Sequence, residues 1–231
     1  MKRFSAYIVL MTSAVAMLAL SIIPDSPFSG INWALLSVCI VGIAILMFFV
    51  SFEKKKVDPK EMALIATMAS IAGISRVPFA IIMSLQPTTF IIMITGYVFG
   101  SQTGFVTGAV AALVSNFFVG QGPWTPWQMF CWGLCGIIAG QLGRKSKEFN
   151  VKVFAAVAFC CGFMYGWIMN IWHWVGFVYP LTVKTFIATY IASIPFDSLH
   201  AMGNVFFTLV FGKSFFLILT RFKRRLTVDR P

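Results

Sequence analysis

Charged side chains are scarce in this sequence of 231 residues, where Asp, Glu, Lys and Arg make up only 11%. A soluble domain typically carries about 25%. Hydrophobic residues account for 59%, the mean hydropathy is +0.87, and apolar runs recur from Tyr7 to Thr220 with short interruptions. A helix needs roughly 20 such residues to cross a bilayer. The composition therefore excludes a soluble globular fold and predicts an all-α polytopic membrane protein.

Acidic residues are scarcer still, with 7 against 18 basic residues and a net charge of +11. In a soluble protein this excess would indicate nucleic acid as a partner. Here most basic residues stand between the apolar runs or at the chain ends, as is typical of cytoplasmic loops. We therefore expect a lipid bilayer and no nucleic acid, with both termini on the cytoplasmic side of a cell membrane. The four clusters are Lys2 and Arg3; Lys54, Lys55, Lys56 and Lys60; Arg144, Lys145, Lys147 and Lys152; and Arg221, Lys223, Arg224, Arg225 and Arg230.

Motifs for catalysis and for bound metals are missing. The sequence has no H-E-x-x-H pair and a single embedded acid, Asp197, so neither a zinc protease nor a two-carboxylate acid–base site can be assembled. Gly212–Ser214 ends like a phosphate-binding loop, but Phe207 stands where that motif requires glycine. The five cysteines lack C-x-x-C spacing. We expect no enzyme activity, no resident cofactor and no metal site.

Eight transmembrane helices are predicted from the apolar runs and the residues that interrupt them. The first is expected to be uncleaved, because its run is longer than that of a signal peptide. A hairpin is predicted to turn at 100–104, and the last segment is predicted to be one helix that kinks near Pro195. The predicted helices are 6–23, 31–52, 62–84, 88–100, 104–119, 127–143, 153–175 and 183–220.

Polar side chains inside these helices concentrate toward the predicted outer side. Ser193, Asp197 and His200 step by four and three residues along the last helix and so share one face. Polar groups in a bilayer usually face the bundle interior or a water-filled cavity. We therefore expect an outward-facing ligand pocket. Its candidate residues are Arg76, Asn116, Asn170, His173, Asp197 and His200.

Two pairs among these residues permit other interpretations. Arg76 and Asp197 could form a buried structural ion pair, since no other acid is available at that depth. His173 and His200 could be hydrogen-bonded core residues, or they could bind haem from two helices at similar depth. The sequence leaves these alternatives open.

Tryptophan is unevenly distributed, with six of the seven between Trp124 and Trp174. An interfacial belt would explain each one singly. Their concentration around one loop and two helix ends, beside the polar groups, favours an aromatic rim for a large, flat or partly apolar ligand. The predicted rim consists of Trp124, Trp127, Trp172 and Trp174.

Small residues form two stripes at helical spacing, where they permit close approach of backbones. One stripe is Gly133, Gly136, Gly140 and Gly143, and the other is Ala66, Ala69, Ser70 and Gly73. Ordinary packing within the chain explains either stripe. Contact with a second protein is the alternative.

Several of these features together resemble a known family. They are the glycines at 96, 100, 104 and 108, the segment Gln121–Met129 with the glycines that follow it, and Pro195–Asn204. From about Met62 onward the sequence resembles the substrate-binding S component of energy-coupling-factor (ECF) vitamin importers, most like the branch associated with cobalamin.

The resemblance implies a six-helix S-component domain over 53–231, preceded by two extra helices in 1–52. It implies capture of a vitamin, here cobalamin or a related corrinoid, and delivery with a transmembrane T subunit and two cytoplasmic ATPases. The S-component contact with the T subunit would correspond here to Ala66, Ala69, Ser70 and Gly73. A stand-alone ion-coupled permease and a haem-binding or enzymatic membrane subunit remain as rival predictions.

Overall fold

The structure is a computed structural model. It describes residues 31–53, 58–82, 84–146 and 148–228, with the backbone alone for 226–228, together with the single positions 16, 20 and 23. The first predicted helix, 6–23, therefore lies outside the described residues, apart from those isolated positions.

All regular secondary structure in the described ranges is helical, as predicted. Five helical stretches are long and apolar enough to cross a membrane, at Trp33–Glu53, Pro59–Phe79, Ser101–Val119, Val151–Phe177 and Val183–Arg225. The helices are α1 Trp33–Glu53, α2 Pro59–Ser75, α3 Thr88–Phe99, α4 Ser101–Val119, α5 Thr125–Lys145, α6 Val151–Phe177 and α7 Val183–Val228, with a 3-10 turn at Val77–Phe79 after α2.

Local sequence explains where α2 begins and ends. Asp58 caps its N-terminus by accepting a 2.9 Å hydrogen bond from the backbone N–H of Lys60, and Pro59 occupies the first turn, where its missing N–H costs nothing. The helix stops at Ser75, and Pro78 lies in the 3-10 turn that follows. Because α2 ends at Ser75, Arg76 is its C-terminal cap residue.

The hairpin between α3 and α4 forms where the sequence predicts it. The turn is the single residue Gly100, whose φ of 101° is accessible to glycine and strained for other residues. The α3 helix has only 12 residues and is almost wholly buried, because the other helices surround it. It therefore serves as the centre of the bundle.

Helix α5 packs across this hairpin through glycine. A Cβ atom on Gly136 would overlap the backbone of Gly104, and one on Gly104 would lie 2.6 Å from the Gly136 carbonyl oxygen. The two backbones are therefore in direct contact. This finding decides the alternatives for the stripe at 133–143 in favour of packing within the chain.

The last helix, α7, runs through Pro195 without interruption. Its 46 residues correspond to about 69 Å at 1.5 Å per residue, more than twice the roughly 30 Å of a bilayer core. It packs along α6 at Gly162, where a Cβ would lie 2.6 Å from the Ala201 Cα atom. The prediction of one continuous helix here agrees with the structure, and the kink near Pro195 stays a prediction.

Helix α1 packs against the remainder of the bundle although it belongs to the predicted N-terminal extension. Val41 and Ile45 share a hydrophobic cluster with Phe105 and Trp127. The Phe48 and Phe105 rings also stack with centroids 3.7 Å apart. Within the described residues, α1 and the six-helix region thus have a common core.

Three contacts bring the predicted cytoplasmic segments together at one end of the bundle. Thr103 donates a 2.8 Å hydrogen bond to Glu61 at the start of α2. Tyr97 donates one of 3.2 Å to the carbonyl of Glu148, just before α6. Lys223 reaches the carbonyl of Val98 at 2.5 Å. We call this the basic end, since Lys60, Arg144, Lys145, Lys152 and Arg221–Arg225 lie on these helix ends.

Candidate functional site

Arg76 is held at the opposite end of α2 from the basic end by neutral partners. Its Nη1 donates hydrogen bonds to Asn116 Oδ1 at 2.8 Å and to Ser115 Oγ at 3.1 Å. The guanidinium also lies 5.4 Å from the centre of the Trp132 ring, within cation–π range. The Nε and Nη2 groups of Arg76 make no hydrogen bond to another described residue. These donors are therefore available to a ligand.

Asn116 holds Arg76 in place through a network of hydrogen bonds. It is 1% exposed, and its Nδ2 donates to Gln128 Oε1 at 2.7 Å and to Thr125 Oγ1 at 2.9 Å. One side chain of α4 thereby joins the cap of α2 to the first turn of α5. The guanidinium is consequently positioned before any ligand arrives.

Asp197 on α7 is held in a similar way. Its Oδ2 accepts a 2.8 Å hydrogen bond from Ser193 Oγ and a longer one, 3.5 Å, from Asn170 Nδ2. Gly166 on α6 makes room for it, because a Cβ there would overlap the carboxylate. The residue is 6% exposed and lines a cavity.

His200, one turn further along α7, belongs to a buried chain of hydrogen bonds. Its Nε2 lies 2.8 Å from Thr89 Oγ1, which accepts a 3.0 Å hydrogen bond from Trp132 Nε1. The Tyr165 ring packs edge-on against the imidazole at 5.0 Å and lies 5.1 Å from the Trp132 ring. The core helices α3 and α5 thus orient His200.

Arg76, Asp197 and His200 line one cavity of about 420 Å³ between α2, α5, α6 and α7. Arg76 and Asp197 both contribute to its wall, but each has its own neutral partners and no ion pair joins them among the described residues. The predicted structural ion pair is therefore wrong. The lining residues are Arg76, Phe79, Ala80, Ile82, Ser84, Gln86, Val119, Gln128, Tyr165, Gly166, Met169, Asn170, Ser193, Phe196, Asp197 and His200.

Most of the predicted polar residues meet at this cavity. Arg76, Asn170, Asp197 and His200 line it, and Asn116 supports it from behind. His173 does not join them, since it is exposed and stacks on Phe177 with a centroid distance of 5.7 Å. The two histidines occupy different surroundings, which removes the structural basis for haem ligation between them.

The predicted tryptophan rim does not surround this cavity. Trp174 is 2% exposed, donates to Thr185 Oγ1 at 3.1 Å and packs with Trp33 in a separate core. Trp127 is buried in the cluster beneath α1. Trp124 and Trp172 do pack together at 6.1 Å, but Trp172 faces another hollow, beside Phe177. The rim prediction fails because sequence position locates a helix end but not the direction of each ring.

The structure adds residues that sequence reasoning missed. Gln128, Thr89, Trp132 and Tyr165 position or line the site. Gln128 could have been identified from the sequence as a site residue, because an amide inside a membrane-spanning helix needs a polar partner. Thr89, Trp132 and Tyr165 carried no such signal, since residues of these types are common in apolar cores.

The small-residue stripe of α2 divides into two faces. Ala69 is 0% exposed, and a Cβ on Gly73 would lie 3.0 Å from Val114, so both belong to packing within the chain. Ala66 is exposed and Ser70 partly so. The prediction that all four contact another subunit is therefore wrong for Ala69 and Gly73, because Ala69 is buried inside the bundle and Gly73 packs against α4.

Comparison with known proteins places the chain in a family. A family model described as a family of unknown function (DUF6580) matches residues 55–226, well over half of the sequence. The chain belongs to this family. The DUF6580 region begins after α1 and includes every residue that lines the cavity. No curated protein and no solved structure matches the chain.

Proposed function

We propose that this chain is the substrate-binding membrane subunit of an ECF-type importer. One observation carries the proposal: a partly buried arginine, Arg76, and a buried aspartate, Asp197, line the same cavity of about 420 Å³ inside an apolar helical bundle. Ionisable groups inside a membrane are costly and usually mark a substrate path. In this proposal ATP hydrolysis belongs to two partner ATPases, and the chain itself is no enzyme.

The arrangement favours a small ligand with polar groups at both ends. Arg76 offers N–H donors to an acidic or carbonyl group, while Asp197 accepts from an amine or hydroxyl. Phe79, Met169 and Phe196 supply apolar wall between them. Pockets of about 300 to 1,000 Å³ suit ligands of drug size. Cobalamin stays a prediction, and the cavity volume favours a smaller molecule.

The charge distribution supports an orientation for this subunit. The cavity lies among helix ends remote from the basic end, near the α4–α5 connection. Because basic ends remain in the cytoplasm, the cavity would open to the outside of a bacterial cell membrane. Both chain termini would then be cytoplasmic, and substrate would enter from the exterior.

Replacing Arg76 with glutamine should weaken ligand binding by at least about tenfold, since a hydrogen bond to a charged group contributes about 1.5 to 3 kcal/mol. The measurement is mass spectrometry of small molecules extracted from the purified protein, followed by titration of the molecule identified. Arg221→Gln, at the basic end, is the matched control and should bind normally. Equal retention by Arg76→Gln would contradict the role of Arg76, and a wild-type protein that retains nothing would count against substrate binding.

The exposed face of α2 supports a contact with the T subunit. Ala66 and Ser70 lie on the outward face of α2, bordered by exposed Ile71 and Ile74. Small residues of this kind let a second helix approach closely. The T subunit and its two ATPases are the partners that we propose for this face.

Ala66→Leu should lower uptake and co-purification of the ATPases by about tenfold, because a bulky side chain would separate the two helices. Ligand binding to the isolated chain should be unchanged. Ala188→Leu places the same side chain at an exposed position on α7 and should have no effect. Normal complex formation by Ala66→Leu would reject the assigned surface.

A stand-alone ion-coupled permease is the second candidate. Asp197 and His200 are titratable groups in the cavity wall, and proton-coupled carriers use such groups. Uptake by the purified chain alone, in liposomes under a proton gradient, would favour this candidate. Uptake that requires the ATPases and ATP would favour the ECF proposal.

A further inference from the structure

A second polar cavity, of about 450 Å³, lies at the basic end. Its wall is built from the turn between α3 and α4, the last turn of α5 and the C-terminal part of α7. Nothing in the proposed substrate path uses it, because the first cavity shares no lining residue with it. We call it the basic-end cavity.

Its charged lining is entirely positive among the described residues. Arg144 comes from α5 and Lys223 from α7, whereas Ser101, Gln102 and Gln141 contribute neutral polar groups. The 2.5 Å hydrogen bond from Lys223 to the Val98 carbonyl shows that the ammonium group reaches the wall. Glu61 borders the cavity, where its carboxylate accepts a hydrogen bond from the lining residue Thr103.

The backbone adds to this positive character. Helix α4 begins in the cavity wall at Ser101 and has no side-chain cap on its first N–H groups. Such groups carry partial positive charge and bind anions when cationic side chains stand beside them. Two cations on separate helices and one uncapped helix start therefore face the same space.

The surroundings of the cavity indicate the source of the anion. On α7, Leu217 and Ile218 are 55% and 64% exposed, and the basic residues follow within one to two turns. An exposed apolar stretch next to cations matches the boundary between acyl chains and headgroups. A soluble anion would need the cations alone and would make no use of the apolar stretch.

We propose that the basic-end cavity binds the phosphate of an anionic phospholipid headgroup. Arg144 and Lys223 pair with the phosphate oxygens, the α4 amides assist, and the acyl chains lie along the exposed apolar side of α7. This inference requires that the helices lie in a bilayer. It is independent of substrate binding in the first cavity.

The test uses the detergent-purified full chain and native mass spectrometry with added phosphatidylglycerol or phosphatidylcholine. The wild type should retain phosphatidylglycerol in preference to phosphatidylcholine. The double variant Arg144→Gln Lys223→Gln should bind phosphatidylglycerol at least roughly tenfold more weakly, because each basic residue near an anionic surface contributes about a factor of five to the affinity. Lys152→Gln removes one charge from the same end outside the cavity and should change the affinity less than about twofold.

Three outcomes would overturn the proposal. The first is equal retention of the two lipids by the wild type, and the second is equal affinity in the double variant and Lys152→Gln. The third is displacement of the lipid by an equal concentration of glycerol 3-phosphate, which would assign the site to a soluble phosphate. Arg144→Lys keeps the charge and should retain most of the affinity. Thermal unfolding of every variant shows whether a loss of binding reflects a loss of fold.

Discussion

Replacing Asn116 with leucine should lower the free energy of unfolding by about 3 kcal/mol and abolish ligand binding. Leucine fills a similar volume, but Arg76 loses its shortest hydrogen bond and Gln128 loses its partner. A hydrogen bond to a charged group is worth about 1.5 to 3 kcal/mol, and each buried polar group left without a partner costs about 1 to 3 kcal/mol. The measurement is the free energy of unfolding in mixed micelles, together with ligand titration.

Asn116→Asp is the matched variant. Its carboxylate still accepts from Arg76, and the Gln128 amide can rotate to donate instead of accept. This variant should retain most of the stability that Asn116→Leu loses. Wild-type stability in Asn116→Leu would mean that the hydrogen bonds around Arg76 contribute little and that the site is not preorganised as described.

Replacing Gly136 with alanine should lower the free energy of unfolding by about 3 kcal/mol, although it adds only one methyl group. The added Cβ would overlap the backbone carbonyl of Gly104, and that backbone cannot move without displacing the hairpin from α5. Overpacking of a core typically costs about 1 to 3 kcal/mol, and the upper part of this range applies because backbone rather than side chain is in the way. The same unfolding measurement checks it.

Gly42→Ala is the control for this prediction. It makes the same change within α1, where a new Cβ meets nothing within 4 Å. Alanine favours the helix, so Gly42→Ala should be neutral or slightly stabilising. A small effect of Gly136→Ala, similar to that of Gly42→Ala, would show that α5 does not pack on the hairpin at backbone contact.

The sequence alone was sufficient to predict most of the helices of the described ranges. The predicted segment 62–84 is the exception, because the α-helix ends at Ser75 and is followed by a 3-10 turn at Val77–Phe79. The predicted segment 153–175 is observed as Val151–Phe177, and 88–100 is observed as Thr88–Phe99. The turn predicted at 100–104 occurs at Gly100. In an apolar environment each backbone polar group must be satisfied within its own segment, so an apolar run of adequate length specifies a helix. Local composition therefore determines this level of structure.

Sequence also identified part of the cavity. Ser193, Asp197 and His200 were predicted to share a face of the last helix, and all three line the cavity. Helical periodicity is a property of one segment, so it can be read without knowing the neighbours. The same periodicity placed Ala66 and Ala69 in one stripe, but it could not show that Ala69 is buried while Ala66 is exposed.

What only the tertiary structure decided is how the faces of different helices meet. The partner of Arg76 is Asn116 rather than Asp197, and the cavity wall contains Tyr165 rather than Trp174. When a helix is apolar on every side, its sequence does not show which side faces the bundle interior. The direction of a ring or guanidinium then depends on which backbones approach most closely. In this chain the backbone contacts of Gly136 and Gly162 set those approaches, and thereby decide which polar groups share a cavity.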